Sequence, residues 1–185
     1  KYAVKEDEVL LLFVGSGFKR KGLKHVIAAL SLIDSHKKVK LLVVGRGKAR
    51  GYQRLAKEKG VLNRLIFAGL HKHIQEIYAA GDIFVFPSEY DAFGTACLEA
   101  MASWLPVIVS NTSGVSEIIT HGKDGFIINH PIDAKEIANN IHVLLEKETR
   151  EQMGIDARQK SEMYSFEANV EKTLRIYKKV LNITI

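Results

Sequence analysis

The chain has 185 residues, of which 46% are hydrophobic and 26% charged, and it carries a formal net charge of +6. That composition excludes a disordered chain and suits one well-buried domain. No apolar run approaches the roughly 18 to 20 residues of a membrane span, and the charged opening from Lys1 to Val9 does not read as a signal peptide.

Short apolar runs alternate with amphipathic stretches along the chain. A strand over 9–14 leads into a helix over 22–33, a strand over 40–44 into a helix over 50–59, and a strand over 65–68 into a helix over 74–80. The pattern continues with a strand over 83–86, a polar loop over 87–92, a helix from about Phe93 to Ser103, and strands over 107–109 and 125–128. Six strands that read as continuous apolar runs are buried on both faces. They imply an α/β, doubly wound, Rossmann-like parallel sheet with flanking helices. Extra helices follow over 133–146, 148–163 and 166–181. In the last of these, Phe166, Val170, Leu174, Tyr177 and Leu181 form a stripe that reads as a core-packing face. The alternative is a basic surface resting on anionic lipid, with Lys172, Arg175, Lys178 and Lys179 largely off the stripe.

The lone cysteine, Cys97, lies among apolar neighbours and reads as an inert packed thiol, which suits a reducing, cytoplasmic setting. The positive charge is compatible with phosphorylated ligands, anionic lipid or nucleic acid and does not choose among them. Because the chain opens on Lys1 rather than methionine, it is read as a fragment of a longer protein.

In a doubly wound sheet ligands sit beyond the carboxyl ends of the strands, so the loops after Val14, Val44, Ala68, Phe86 and Val109 should form the site. The fourth of these runs Pro87-Ser88-Glu89-Tyr90-Asp91-Ala92-Phe93-Gly94-Thr95-Ala96-Cys97-Leu98-Glu99-Ala100-Met101-Ala102. A helix starting near Phe93 or Gly94 aims unpaired amides and a positive dipole end at the loop, which suits a phosphate or a sugar hydroxyl. Gly94 lets a ligand approach the backbone. Glu99, more than a turn into the helix, can accept hydrogen bonds from two ribose hydroxyls, the alternative being a solvated helix position. As a hydrolytic acid/base pair, Asp91 and Glu99 would need to stand about 5 to 9.5 Å apart. Eight helical positions give about 12 Å instead.

This stretch resembles the acidic motif of family 4 glycosyltransferases of GT-B fold, in which two acidic residues eight positions apart bracket a Phe-Gly turn and a Leu-Glu-Ala helix. Asp91 and Glu99 have that spacing, although most members carry glutamate where Asp91 stands. The resemblance makes Asp91 and Glu99 the catalytic pair and lines the donor with Phe93, Gly94, Thr95 and Leu98.

The loop after the first strand, Gly15-Ser16-Gly17-Phe18-Lys19-Arg20-Lys21-Gly22, is a glycine turn with cations added. Glycines permit close approach, and Arg20 and Lys21 can neutralise a diphosphate whose charge grows as a glycosidic bond breaks, with no metal required. The alternative is a solvated loop. Many family members carry arginine where Ser16 stands; the basic pair just before Gly22 is similar to the family's lipopolysaccharide-core glucosyltransferase branch, which gives Arg20 the phosphate.

By the same resemblance Lys48, in Gly45-Arg46-Gly47-Lys48, reaches the donor, and main-chain groups of Ile74 read the base. His71 and His73 lack a third metal ligand nearby and read as exposed imidazoles. Glu117 either contacts the ligand or opens a helix.

Membership would imply retaining, metal-independent and cofactor-free transfer of a sugar from a nucleotide diphosphate, commonly a UDP-sugar, to a cell-envelope glycan or lipid-linked acceptor. It would also imply a single donor-binding domain over 1–185, with the acceptor-binding N-terminal lobe absent and no nucleic acid bound. A non-catalytic nucleotide-sugar module keeps the same fold and is the alternative. A dinucleotide oxidoreductase is disfavoured because the first loop lacks the G-x-G-x-x-G spacing.

Overall fold

The structure, a computed structural model, describes residues 5, 7–130 and 132–181. Six strands, β1 (Val9–Val14), β2 (Val39–Val44), β3 (Leu65–Gly69), β4 (Ile83–Phe86), β5 (Val107–Ser110) and β6 (Gly125–Ile128), form one sheet in the order β3-β2-β1-β4-β5-β6. Every pairing is parallel, with Val9 opposite Val39 and Phe84 opposite Val107. The order reverses between β1 and β4, so the helices that follow these two strands lie on opposite faces of the sheet and the loops between meet at the reversal point.

Alternation along each strand feeds two cores. Leu11, Phe13, Leu41, Val43, Ile83 and Val85 point to the side covered by α1 (Leu23–Leu32), α2 (Ala49–Glu58) and α5 (Ala134–Leu144). Leu10, Leu12, Val14, Leu42, Phe84 and Phe86 point to the side of α3 (Ile74–Ala79), α4 (Thr95–Ala102) and α6 (Lys147–Glu162). Burial on both faces explains why these strands lack the polar alternation of a half-exposed sheet. α5 packs on α1 and α6 on α4, so two of the extra helices thicken the layers. Asp133 caps α5 by accepting from the Lys135 amide at 2.9 Å.

Two details depart from the sequence reading, and a third, Glu117 in the first turn of a short helix, agrees with one of its alternatives. α4 starts at Thr95, because Gly94 at φ 95° is its left-handed N-cap; Phe93 lies in the loop. Glu117 falls in a 3-10 turn, Gly114–Ile118, and is exposed. The stripe on α7 (Phe166–Leu181) does not pack into the core: none of its residues is buried, and Phe166 is 80% and Leu181 65% exposed. An amphipathic period says that one face is apolar, not that this chain supplies the cover. Among the described residues no helix is long and apolar enough to cross a membrane.

Candidate functional site

The site is built where the loops after β1 and β4 lock together. Phe18 anchors the first loop, buried edge-on against Phe13 and Tyr52 with ring centroids 6.0 and 5.8 Å away, so the cations that follow it are presented from a fixed base. Gly22, at φ 77°, passes so close to β4 that a Cβ would lie 1.8 Å from the Pro87 carbonyl oxygen. The Arg20 carbonyl accepts from the Glu89 amide at 2.8 Å and from the Ser88 hydroxyl at 3.1 Å. Ser110 and Thr112 at the end of β5 donate to the Ser88 carbonyl at 2.5 and 2.6 Å. Three strand ends are thereby held in one bonded unit.

At its centre Arg20 Nη1 donates to Asp91 Oδ2 and to the Tyr90 carbonyl, both at 2.8 Å, and Lys21 Nζ donates to the same Asp91 oxygen. The Lys21 ammonium also sits 4.3 Å from the centroid of the Phe86 ring. The Lys21 and Asp91 side chains are each 12% exposed, and Arg20 remains half exposed. Burial tends to raise the Asp91 carboxyl, but the hydrogen bonds and charges of Lys21 and Arg20 outweigh it, so the group lies below its ordinary value and stays ionised. One carboxylate oxygen thus already occupies the spot on which two cations converge.

Ser16, which stands where arginine was expected, ties the two glycine loops: its hydroxyl accepts from the Arg46 amide at 3.1 Å. Gly17 reinforces the tie through its amide to the Arg46 carbonyl at 3.1 Å, while Gly15 donates to the Val44 carbonyl at 2.9 Å. Lys48 does not join Asp91. It is exposed and lines, with Gly17, Arg20, Lys24, Tyr52 and Glu89, a cavity of about 720 Å³ that borders the cluster through Arg20.

Glu99 is held differently. Phe93, Thr95, Leu98 and Glu99 line a cavity of about 560 Å³, together with Arg158, Tyr164 and Phe166. Glu99 Oε2 accepts from the hydroxyl of Tyr78 at 2.8 Å, and no cation reaches the Glu99 carboxylate among the described residues. Ile74, half-buried, is the first residue of α3, the helix that also carries Tyr78. The two carboxylates therefore face separate sets of partners. Residues 91–94 are loop rather than helix, so the helical rise does not set the separation of Asp91 and Glu99. Asp91's ionised state between two cations unfits it only for the acid role of a hydrolytic pair.

Sequence reasoning missed Tyr78 and Glu89. A buried phenol reads as core, and only its hydroxyl's need for a partner could have flagged it. Glu89 accepts from or pairs with His25 at 2.7 Å, Lys24 at 3.1 Å and His130 at 3.6 Å. These contacts, His25 first, pull its carboxyl down to about 2. Burial pushes the Cys97 thiol up, as expected of a packed cysteine. Among the described residues no three His, Cys, Asp or Glu side chains gather as metal ligands.

Sheet order, paired cations and glycine turns at the reversal point define a doubly wound α/β domain with an anion-holding crevice. The chain belongs to the glycosyl transferases group 1 family, whose model matches residues 1–160. It is 33% identical over 180 residues to an uncharacterized glycosyltransferase of Methanocaldococcus jannaschii, covering 95% of this chain and 46% of that protein. It is 35% identical over 139 residues to the lipopolysaccharide glucosyltransferase WaaG of Escherichia coli, covering 74% and 37% respectively. A WaaG crystal structure superposes with a TM-score of 0.85 at 29% identity, over 94% of this chain and 48% of that one. HepE of Anabaena, solved with UDP-glucose, has the same fold at a TM-score of 0.82 and 23% identity, over 97% and 50% of the two chains. The chain thus spans about half the length of these relatives or less.

Proposed function

We infer that this chain is the donor-binding half of a retaining, metal-independent glycosyltransferase that takes a UDP-sugar and acts in cell-envelope glycan synthesis. The observation that carries this reading is the convergence of Arg20 and Lys21 on a single oxygen of Asp91 at the reversal point of the sheet. A diphosphate presents the same anionic oxygens, and the crevice offers it the cations, the glycine turn of Gly15, Ser16 and Gly17, and the first amides of α4, which no side chain caps. Charge that builds on the leaving phosphate as the glycosidic bond breaks would then meet donors already fixed in place. In this reading Asp91 turns from the cations to a sugar hydroxyl, Glu99 accepts from the ribose, Ile74 flanks the base, and Gly94, Thr95 and Leu98 line the donor. WaaG's activity and HepE's bound UDP-glucose support the substrate class by analogy.

The reading includes a second, acceptor-binding N-terminal lobe. Its support is the half-length match to the relatives and the uncovered apolar stripe on α7. It also makes the protein cytoplasmic, with a peripheral contact to anionic lipid through Lys172, Arg175, Lys178 and Lys179, and excludes nucleic acid as a partner. The test is calorimetric titration of UDP, UDP-glucose and GDP-mannose with and without chelator. UDP binding that survives the chelator, and UDP-glucose binding that exceeds GDP-mannose binding, are expected; binding abolished by the chelator would remove the metal-free reading.

A further inference from the structure

We propose that Tyr78 is the positioning residue that fixes the Glu99 carboxylate for the ribose diol. This rests on the donor-site reading above and adds to it the group that presets one of its contacts.

Tyr78 is 2% exposed, and its ring packs against Phe84 with centroids 6.1 Å apart, so the phenol cannot swing out to water. A buried hydroxyl without a partner is costly, and here the partner is Glu99 Oε2 at 2.8 Å. Burial first, and then the bond to Glu99, pushes the Tyr78 hydroxyl far above its ordinary value, which keeps it a proton donor. Topology supplies the rest. α3 precedes β4 and α4 follows it on the same face of the sheet, so a donor on one helix meets an acceptor on the next.

The consequence falls on an exposed side chain. Glu99 is exposed, and an unrestrained glutamate loses rotamer freedom when a ligand fixes it. Tyr78 exacts that loss during folding. A carboxylate offers about four acceptor sites, and the phenol uses one. Oε1 has no protein hydrogen-bond partner among the described residues, and the side chain lines the cavity it shares with Thr95 and Leu98. Two vicinal hydroxyls can therefore dock on a carboxylate whose orientation is already set.

Titrating UDP and 2′,3′-dideoxy-UDP into the wild-type protein, Tyr78→Phe and Glu99→Gln separates the possibilities. Tyr78→Phe should weaken UDP by about three- to tenfold, the scale of one side chain's ordering, and leave dideoxy-UDP within about twofold. The ratio of the two affinities is internal to each variant, so a loss of folded protein does not mimic the result. Equal loss for both ligands would make Tyr78 a packing residue and overturn the proposal. So would unchanged UDP affinity in Tyr78→Phe while Glu99→Gln loses its preference for UDP over dideoxy-UDP. If Glu99→Gln itself keeps that preference, the ribose role of Glu99 fails, and the role of Tyr78 falls with it by a different signature.

Discussion

Asp91 and Glu99 lie on one short stretch of chain, yet the fold restrains them by opposite means. Asp91 sits on the loop after β4, and its charge is met by Arg20 and Lys21, whereas Glu99 sits within α4 and is met by a neutral phenol. A carboxylate between two cations competes with any incoming anion for them. A carboxylate bonded to a phenol keeps its charge and most of its acceptor capacity. In the proposed donor-site reading the first arrangement is an exchangeable pair, at which a diphosphate would take the acid's place, and the second is a standing support.

The difference is most exposed by Arg20→Ala. If the cation side binds phosphate, the loss should cost about 1.5 to 3 kcal/mol in UDP affinity, the scale of a charge-assisted contact, while uridine binding changes little. Calorimetry with both ligands checks this. Equal losses for UDP and uridine would mean that Arg20 organises the loop through the Tyr90 carbonyl rather than holding phosphate.

Asp91→Asn should act in the other direction and more weakly. The amide keeps the shape of the side chain but releases Arg20 and Lys21, so UDP should bind more tightly by about 0.5 to 1 kcal/mol, the range of a partly exposed ion pair. The extra affinity of UDP-glucose over UDP should shrink at the same time if Asp91 accepts from the sugar, because the amide oxygen is an uncharged and weaker acceptor. Weaker UDP binding in Asp91→Asn would show that the aspartate braces the cations instead of competing for them, and the contrast with Glu99 would dissolve.

How far the sequence anticipates this depends on whether local or tertiary chemistry decides. Continuous runs such as Val9–Val14 and Ile83–Phe86 report their own double-sided burial, so the six strands and the loops between them were legible. The family resemblance carried by the Phe93-Gly94 turn and the spacing of Asp91 and Glu99 pointed to the family the chain belongs to. What a side chain reaches was not legible. Arg20 and Asp91 meet across 71 positions of chain, and Tyr78 meets Glu99 between two helices. The failed reading of α7 has the same root, since a stripe of Phe166, Leu174 and Leu181 has one period whether its cover lies in this chain or elsewhere.

The smallest expected effect lies beside the cation cluster, where Glu89 separates the structural acids from those of the site. His25, Lys24 and His130 surround it, and its carboxyl is drawn down to about 2 from an ordinary 4.5. A group with a depressed folded-state pKa contributes stability that is fully present above the unfolded value. That contribution drains as pH falls from about 4.5 toward about 2, when the folded protein also takes up the proton. Its side chain is 34% exposed, so solvent screening holds the contribution below about 1 kcal/mol. Glu89→Gln should therefore lower the thermal midpoint slightly at neutral pH, and the gap to wild type should close on acidification, as followed by circular dichroism. UDP affinity should hold, because the Glu89 carboxylate is tied to His25 and Lys24, although it borders the cavity that Arg20 and Lys48 line. A gap that persists at low pH would assign the loss to packing, and a fall in UDP affinity would bring Glu89 into the donor site.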